Sequence, residues 1–225
     1  MKAEWIVRDG RDELLLFFNG WGMDRMLAEW LRSEKPGLAS HDLVVLYDYS
    51  DLTLPEELRQ AFAGYREIDL VAWSLGVWAA LHAGLDRVRR AVALNGTPFP
   101  IDDARGIPPA VFNGTLENWS DATRSRFERR MFAGFERDPR VGRVRSARRS
   151  QEQQDELRSI AAAAMSAEVV LPAPWEFSRA VIGSRDLIFL PEHQRAAWQG
   201  IETMIVDDMP HFPFFHLHGW QEALA

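Results

Sequence analysis

The chain has 225 residues, of which 47% are hydrophobic, and a formal net charge of −7. This length and apolar content suit a single domain with a sizeable core, and the acidic balance argues against a nucleic-acid-binding surface. Because the chain contains no cysteine, disulfides, thiolate nucleophiles and thiolate metal sites are excluded.

No segment directs the chain to a membrane. The N-terminal residues lack the long apolar stretch of a signal peptide, and no apolar run approaches the length of a membrane span. The absence of cysteine also suits a reducing compartment. We therefore expect a cytoplasmic protein without a membrane partner.

Short apolar runs alternate with helical patterns over the first part of the chain. The predicted strands lie at residues 5–7, 14–18, 42–47, 68–72 and 90–94. The predicted helices lie at residues 26–32, 55–63 and 77–81. Strands that alternate with helices predict an α/β fold with a doubly wound, mostly parallel sheet and helices on both faces.

The alternation stops after Pro98 and returns near the end of the chain. Residues 101–109 read as a Pro-rich loop, and residues 116–165 read as helices without a strand-like run. The later predictions are strands at 177–182 and 201–206, a helix at 191–199 and a closing helix at 214–224. We therefore expect one domain over residues 1–225, with a helical lid inserted at about residues 101–170.

Ser74 lies between a predicted buried strand and a predicted helix. Ala72 and Gly76 flank it at two residues on either side, which is the G-x-S-x-G nucleophile elbow with Ala in the first position. Small residues are needed there because a direct strand-to-helix turn brings these two positions together. Such a turn holds the serine in a strained conformation and points free helix N–H groups at a forming oxyanion.

A serine hydroxyl needs a neighbouring base to act as a nucleophile at neutral pH. His211 follows the last predicted strand, and the carboxyl ends of parallel strands meet at the edge where Ser74 is expected. We therefore predict that His211 is the base, with His216 and His218 as alternatives.

The base needs an acid that orients its ring and stabilises the imidazolium. Asp186 follows the predicted strand at residues 177–182 and completes the order serine, acid, histidine that is typical of this elbow. Asp102 and Asp103, which follow an earlier strand, remain alternatives.

Backbone N–H groups should stabilise the oxyanion. One candidate is the N–H of Leu75, the residue after the serine. The other is the N–H of Trp21, which lies in the Gly-rich loop at residues 19–22 after an early strand. Glycines in such a loop allow the backbone to approach a ligand closely.

The predicted lid is strongly basic. Between residues 121 and 150, ten arginines accompany four acidic residues, which gives this segment a net charge of +6. A plain solvated surface is one interpretation; the other is a patch that attracts an acidic substrate or protein partner. The candidates for partner binding are Arg124, Arg126, Arg129 and Arg130.

With these residues in place, the chain resembles the α/β-hydrolase superfamily over nearly its whole length. More narrowly, it resembles the BioG-type pimeloyl-ACP methyl ester esterases, on the motifs at residues 17–24, 71–78, 94–97 and 210–214. Two departures are Ala72 in place of the first elbow glycine and Asn19 where many hydrolases have histidine.

The resemblance implies a reaction and a partner. The reaction is hydrolysis of the methyl ester of pimeloyl-acyl carrier protein in biotin biosynthesis, with release of methanol. The partner is the acyl carrier protein, which lid arginines hold in functionally similar enzymes. We therefore expect a serine carboxylesterase that needs no metal or organic cofactor. The alternatives are a short-chain acyl esterase or thioesterase with the same triad, and a non-catalytic hydrolase-fold binding protein.

Overall fold

The computed structural model describes residues 1–34, 40–166 and 173–224. Its strands are β1 Lys2–Val7, β2 Glu13–Phe18, β3 His41–Tyr47, β4 Glu67–Trp73, β5 Arg90–Leu94, β6 Arg179–Gly183 and β7 Glu202–Val206. Its helices are α1 Arg25–Glu34, α2 Glu56–Ala61, α3 Gly76–His82, α4 Pro109–Glu117, α5 Asp121–Met131, α6 Val141–Val144, α7 Ser150–Met165, α8 Pro191–Ala197 and α9 Trp220–Leu224.

The strands form one sheet in the order β1-β3-β2-β4-β5-β6-β7. All neighbouring pairs are parallel except β1 with β3, which is antiparallel. Every residue of β3 is buried, and so is nearly every residue of β2 and β4. Strands with long apolar runs need cover on both faces. The mostly parallel α/β sheet predicted from the sequence is therefore confirmed.

The predicted closing helix at residues 214–224 is wrong as a single element. A 3₁₀ turn occupies Pro213–Phe215, and α9 begins only at Trp220. The backbone N–H of His218 donates to the carboxylate of Glu222 at 2.6 Å. Glu222, in the first turn of α9, thereby reaches back to a backbone N–H that precedes the helix, as the acidic side chain of a capping box does, so the chain turns here before it becomes helical again.

In chain order, helices α4 to α7 all come after β5 and before β6, two strands that are neighbours in the sheet. They fall within the predicted insertion at residues 101–170, whose last part, residues 167–170, lies outside the described residues. In the described part of the chain, no helix combines the length and apolar character needed to cross a bilayer.

A buried ionic cluster lies at the amino-terminal edge of the sheet, opposite the strand ends that carry Ser74. Asp69 in β4 has a fully buried side chain and pairs with the guanidinium groups of Arg89 and Arg90. His41 Nε2 lies 3.1 Å from Asp69 Oδ2 and 3.2 Å from Glu13 Oε2. Burial opposes ionisation of Asp69, but hydrogen bonds from its three partners outweigh this and hold its pKa well below the ordinary value.

We expect the substitution Asp69→Asn to destabilise the fold because it leaves the Arg89 and Arg90 guanidinium groups without their central carboxylate. The expected loss in the free energy of unfolding at pH 7 is about 2 kcal/mol, less than for a fully buried pair because both arginines are partly exposed. Urea unfolding followed by tryptophan fluorescence measures it. Glu67→Gln, on the same strand and 3.8 Å from Arg89, is the matched control and should cost little.

The same cluster makes the stability of the fold depend on pH. The lowered pKa of Asp69 means that its contribution is complete above the ordinary value of 3.8 and is lost as the pH falls below it. The difference in stability between the wild type and Asp69→Asn should therefore narrow between about pH 4 and about pH 2. A stability difference that stays constant over this range would contradict a lowered pKa of Asp69 in the folded protein.

Candidate active site

Ser74 lies at the turn between β4 and α3 in a left-handed backbone conformation, with φ of 58°. Such a conformation is strained for a residue other than glycine. The surroundings leave no room for larger neighbours: a Cβ on Gly76 would lie 2.4 Å from Asn19 O, and one on Gly96 would lie 2.3 Å from Ser74 O. Residues that follow β2 and β5 therefore pack tightly against the turn and restrict its backbone conformation.

His211 lies beside Ser74, in the loop after β7. Its Nε2 is 2.9 Å from Ser74 Oγ. Its Nδ1 is 2.9 Å from Asp186 Oδ2 and 3.0 Å from Oδ1. The side chains of His211 and Asp186 are almost completely buried. The structure thus brings together the three residues that the sequence predicts as nucleophile, base and acid.

The Asp186 carboxylate is fixed by its own loop and by α8. The backbone N–H groups of Ile188 and Phe189 donate to Oδ1 at 2.8 and 3.0 Å. Gln194 Nε2 donates to Oδ2 at 3.0 Å. A carboxylate held in this way can keep an imidazole ring in one orientation and stabilise its charged form.

The alternative acids are used elsewhere. Asp102 accepts from the N–H groups of Ala104 and Arg105 and pairs with the Arg105 guanidinium. Asp103 is exposed.

The alternative histidines also lie in other surroundings. His216 packs against the ring of Phe135, and His218 contacts Glu222. Within the described residues, neither forms a hydrogen bond to Ser74 or Asp186.

The loop after β2 holds the predicted oxyanion donor Trp21. Asn19 organises this loop from inside, because its Oδ1 accepts the Gly20 N–H at 2.9 Å and its Nδ2 donates to Asp24 O at 2.8 Å. Trp21 and Leu75 line the same cavity as Ser74. Across residues 1–34, 40–166 and 173–224, neither of their backbone N–H groups has an acceptor, so both are available to a bound oxyanion.

The cavity above Ser74 is partly open to solvent and contains about 540 Å³ of space free of protein atoms, part of it continuous with the solvent. Its walls come from the loop at residues 19–22 (called the oxyanion loop from here on), from α4, α5 and α7, and from the loop between β6 and α8. They are mostly apolar and include Val111, Phe112, Phe127, Met131, Leu157 and Ile188. Arg130 also lines it and extends into an outer groove. A cavity of this kind suits an apolar acyl chain with one reactive polar end.

Two further residues hold the histidine loop, and the sequence analysis did not assign them a role. Asn95, left-handed with φ of 43°, donates through Nδ2 to Pro210 O at 2.8 Å and His211 O at 3.0 Å. Its Oδ1 accepts the Gly183 N–H at 2.6 Å. Trp73 Nε1 also donates to His211 O, at 2.9 Å. An asparagine directly after a strand, before a glycine, was the available signal.

The four candidate arginines of α5 differ in their surroundings. Arg124 donates to Glu128 Oε1, Arg148 O and Ser146 O, so its guanidinium is engaged within the chain. Arg126 and Arg129 are exposed and Arg130 is half-buried. These three line the outer groove beside the exposed side chain of Leu187.

Potential metal ligands are gathered in one place within the described parts of the chain: Glu13, His41 and Asp69. They lie at the opposite edge of the sheet from Ser74, and Arg89 and Arg90 already neutralise Asp69. A cation there would be repelled by both guanidinium groups, so the donor set does not suit a metal ion.

Comparison with known proteins gives the family. The family model described as pimeloyl-ACP methyl esterase BioG matches residues 1–223. The crystal structure of BioG from Haemophilus influenzae superposes with a TM-score of 0.85 and 33% identity, covering 100% of both chains. A hydrolase from Pseudomonas aeruginosa has a TM-score of 0.64 at 18% identity over 96% of this chain and 88% of its own, which supports the fold alone.

Two curated relatives have different names. One from Haemophilus influenzae, called an uncharacterized protein, is 39% identical over 88% of this chain and 87% of its own length. One from Bacteroides fragilis, called malonyl-[acyl-carrier protein] O-methyltransferase, is 40% identical over 84% of this chain. The matched region spans only 37% of that protein. The structural matches show the α/β-hydrolase fold, and the family match over residues 1–223 shows that this chain belongs to the BioG family of pimeloyl-ACP methyl esterases.

Proposed function

We propose that this chain is a serine carboxylesterase that hydrolyses the methyl ester of pimeloyl-acyl carrier protein in biotin biosynthesis. The observation that carries the proposal is the 2.9 Å contact between Ser74 Oγ and His211 Nε2, at a cavity lined by apolar side chains. Membership of the BioG family supports the choice of ester. The name of the Bacteroides fragilis relative, which mentions an acyl carrier protein, supports the kind of carrier.

In the first half of the reaction, His211 removes the proton of Ser74 as Oγ attacks the ester carbonyl. The carbonyl oxygen becomes an oxyanion, which the N–H groups of Trp21 and Leu75 stabilise. Asp186 keeps the ring oriented and stabilises the imidazolium. The imidazolium then gives its proton to the departing methoxide, so methanol leaves and an acyl-serine remains.

In the second half, His211 removes a proton from water, and the hydroxide attacks the acyl-serine. The second tetrahedral intermediate collapses as the imidazolium returns a proton to Ser74 Oγ. The product is a free carboxylate. An ionised carboxylate is costly to keep among apolar walls, which favours its release from a cavity that accepts the neutral ester.

We propose Arg126, Arg129 and Arg130 as the contacts of the acidic carrier protein. They line the groove that joins the cavity at Val111, Thr115 and Phe127. Guanidinium groups bind carboxylates and phosphates through paired hydrogen bonds. Arg124 is left out of this set because its guanidinium is already engaged by Glu128 and by two backbone carbonyls.

The substitution Ser74→Ala should abolish hydrolysis of methyl pimeloyl-ACP. Loss of the nucleophile typically lowers kcat by about 10⁴-fold or more. Release of methanol by the purified protein measures the activity, and a fluorophosphonate probe reports whether Ser74 is nucleophilic. Cleavage of small p-nitrophenyl esters or of acyl thioesters without turnover of the methyl ester would instead indicate a general esterase or thioesterase. A protein that neither reacts with the probe nor turns over any ester would be a binding protein.

The substitution Asp186→Asn should lower kcat by about 10⁴-fold, because an amide cannot stabilise the imidazolium or select its tautomer. The matched control is Asp102→Asn, which should leave kcat nearly unchanged, since among the described residues the Asp102 side chain contacts Ala104 and Arg105 of its own loop. Similar losses in both variants would contradict the assignment of Asp186. Circular dichroism of each variant checks the fold.

The substitution Arg129→Glu should raise KM for methyl pimeloyl-ACP by about 3–10-fold and leave KM for a small methyl ester unchanged. The charge reversal acts on association with an acidic carrier, so its effect should shrink as salt is added. Arg11→Glu, an exposed arginine before β2 at the far edge of the sheet, is the control. An equal effect of the two variants on the carrier-linked substrate would rule out a local docking patch.

A further inference from the structure

One face of α7 is attached to the oxyanion loop. The Gly22 N–H donates to Glu156 Oε2 at 3.2 Å, and Gln153 Nε2 donates to Gly22 O at 2.8 Å. The indole N–H of Trp21 donates to Gln153 O at 2.7 Å. Residues three apart on a helix lie on the same face, so Gln153 and Glu156 together hold both polar groups of Gly22 and the side chain of Trp21.

Glu156 is itself held in a closed network. Its side chain is fully buried, and its carboxylate accepts from Arg148 at 2.6 Å and from the Tyr49 N–H at 2.9 Å. Arg148 also lies 3.2 Å from Asp48. Burial raises the pKa of Glu156, while Arg148 and the Tyr49 N–H oppose this shift.

Stability alone does not account for this network. A buried ion pair is often no more stabilising than apolar side chains of the same volume. What an apolar residue could not do is accept the Gly22 N–H. Gly22 is left-handed, with φ of 73°, a conformation that a side chain would strain, and a Cβ added to it would make a tight 3.1 Å contact with Gln153 Nε2.

We infer that Glu156 and Gln153 are positioning residues that hold the Trp21 backbone N–H where it stabilises the oxyanion. The inference rests on the proposed serine-esterase function. The two side chains act on Gly22, the residue after Trp21, while the main-chain carbonyl of Gln153 accepts the indole N–H. Neither side chain lines the cavity above Ser74. They therefore govern how well the transition state is stabilised and leave ground-state binding of the acyl chain nearly unchanged.

The test compares Glu156→Gln and Gln153→Met with Asp155→Asn. The control loses a carboxylate on the same helix, but Asp155 is exposed and pairs only with Arg158 and Gln151 among the described residues. Titration with a fluorophosphonate counts the active sites, so that kcat is expressed per reactive Ser74. We expect kcat to fall about tenfold or more in both test variants, with KM within about twofold of the wild type. The control should match the wild type.

A second readout separates positioning from a purely structural role. An alkyl boronic acid forms a tetrahedral adduct with the reactive serine, and its oxygen occupies the position of the oxyanion. Its affinity should fall in parallel with kcat in the two test variants. A purely structural role would lower the number of titratable sites or the free energy of unfolding while leaving kcat per site and boronate affinity unchanged.

Wild-type kcat and boronate affinity per site in both folded variants would overturn the inference, and so would a change confined to KM. If Glu156→Gln does not fold, Gln153→Met decides, because it removes one hydrogen bond and no charge. A wild-type protein that neither reacts with the fluorophosphonate nor hydrolyses the ester is a separate outcome: it overturns the proposed function and the inference with it.

Discussion

The strained turn at Ser74 is the constraint on which the rest of the candidate site depends. Its left-handed backbone is held by its neighbours: the chain after β2 approaches Gly76, and Ser74 itself approaches Gly96 after β5, so closely that neither glycine could carry a side chain. Close packing of this kind can impose a conformation that the residue alone would not adopt. Packing at the ends of the strands therefore determines the direction in which the Ser74 hydroxyl points.

The two edges of the sheet use buried polar groups in different ways. At the carboxyl edge, Asn95 connects the loop of Asp186 to the loop of His211 through Gly183 and Pro210. At the opposite edge, Asp69 is surrounded by cations and keeps its charge. Buried polar groups are tolerated when they are fully paired. The carboxyl edge thus positions the candidate triad, while the amino-terminal edge stabilises the ends of the central strands.

The helices between β5 and β6 also use charge in two ways. On α5, Arg126 and Arg129 are exposed and face a groove that leads to the cavity. On α7, Glu156 is buried and holds the oxyanion loop through Gly22. Arg124 connects the two, because it lies on α5 and donates to the carbonyl of Arg148, the residue that pairs with Glu156. The surface available to a partner and the support of the site are therefore built from adjacent segments.

The sequence by itself determined the sheet, because apolar runs and their spacing reflect burial directly. It also predicted Ser74, Asp186 and His211, since each follows a strand and strand ends share an edge. Only the tertiary structure showed that Asp186, and not Asp102, contacts His211. It also showed that the Arg124 guanidinium is engaged within the chain, unlike the exposed arginines of α5, and that the predicted closing helix is two separate elements. It alone connected Gln153 and Glu156 to Gly22. These outcomes depend on contacts between residues far apart in the chain, which local patterns do not encode.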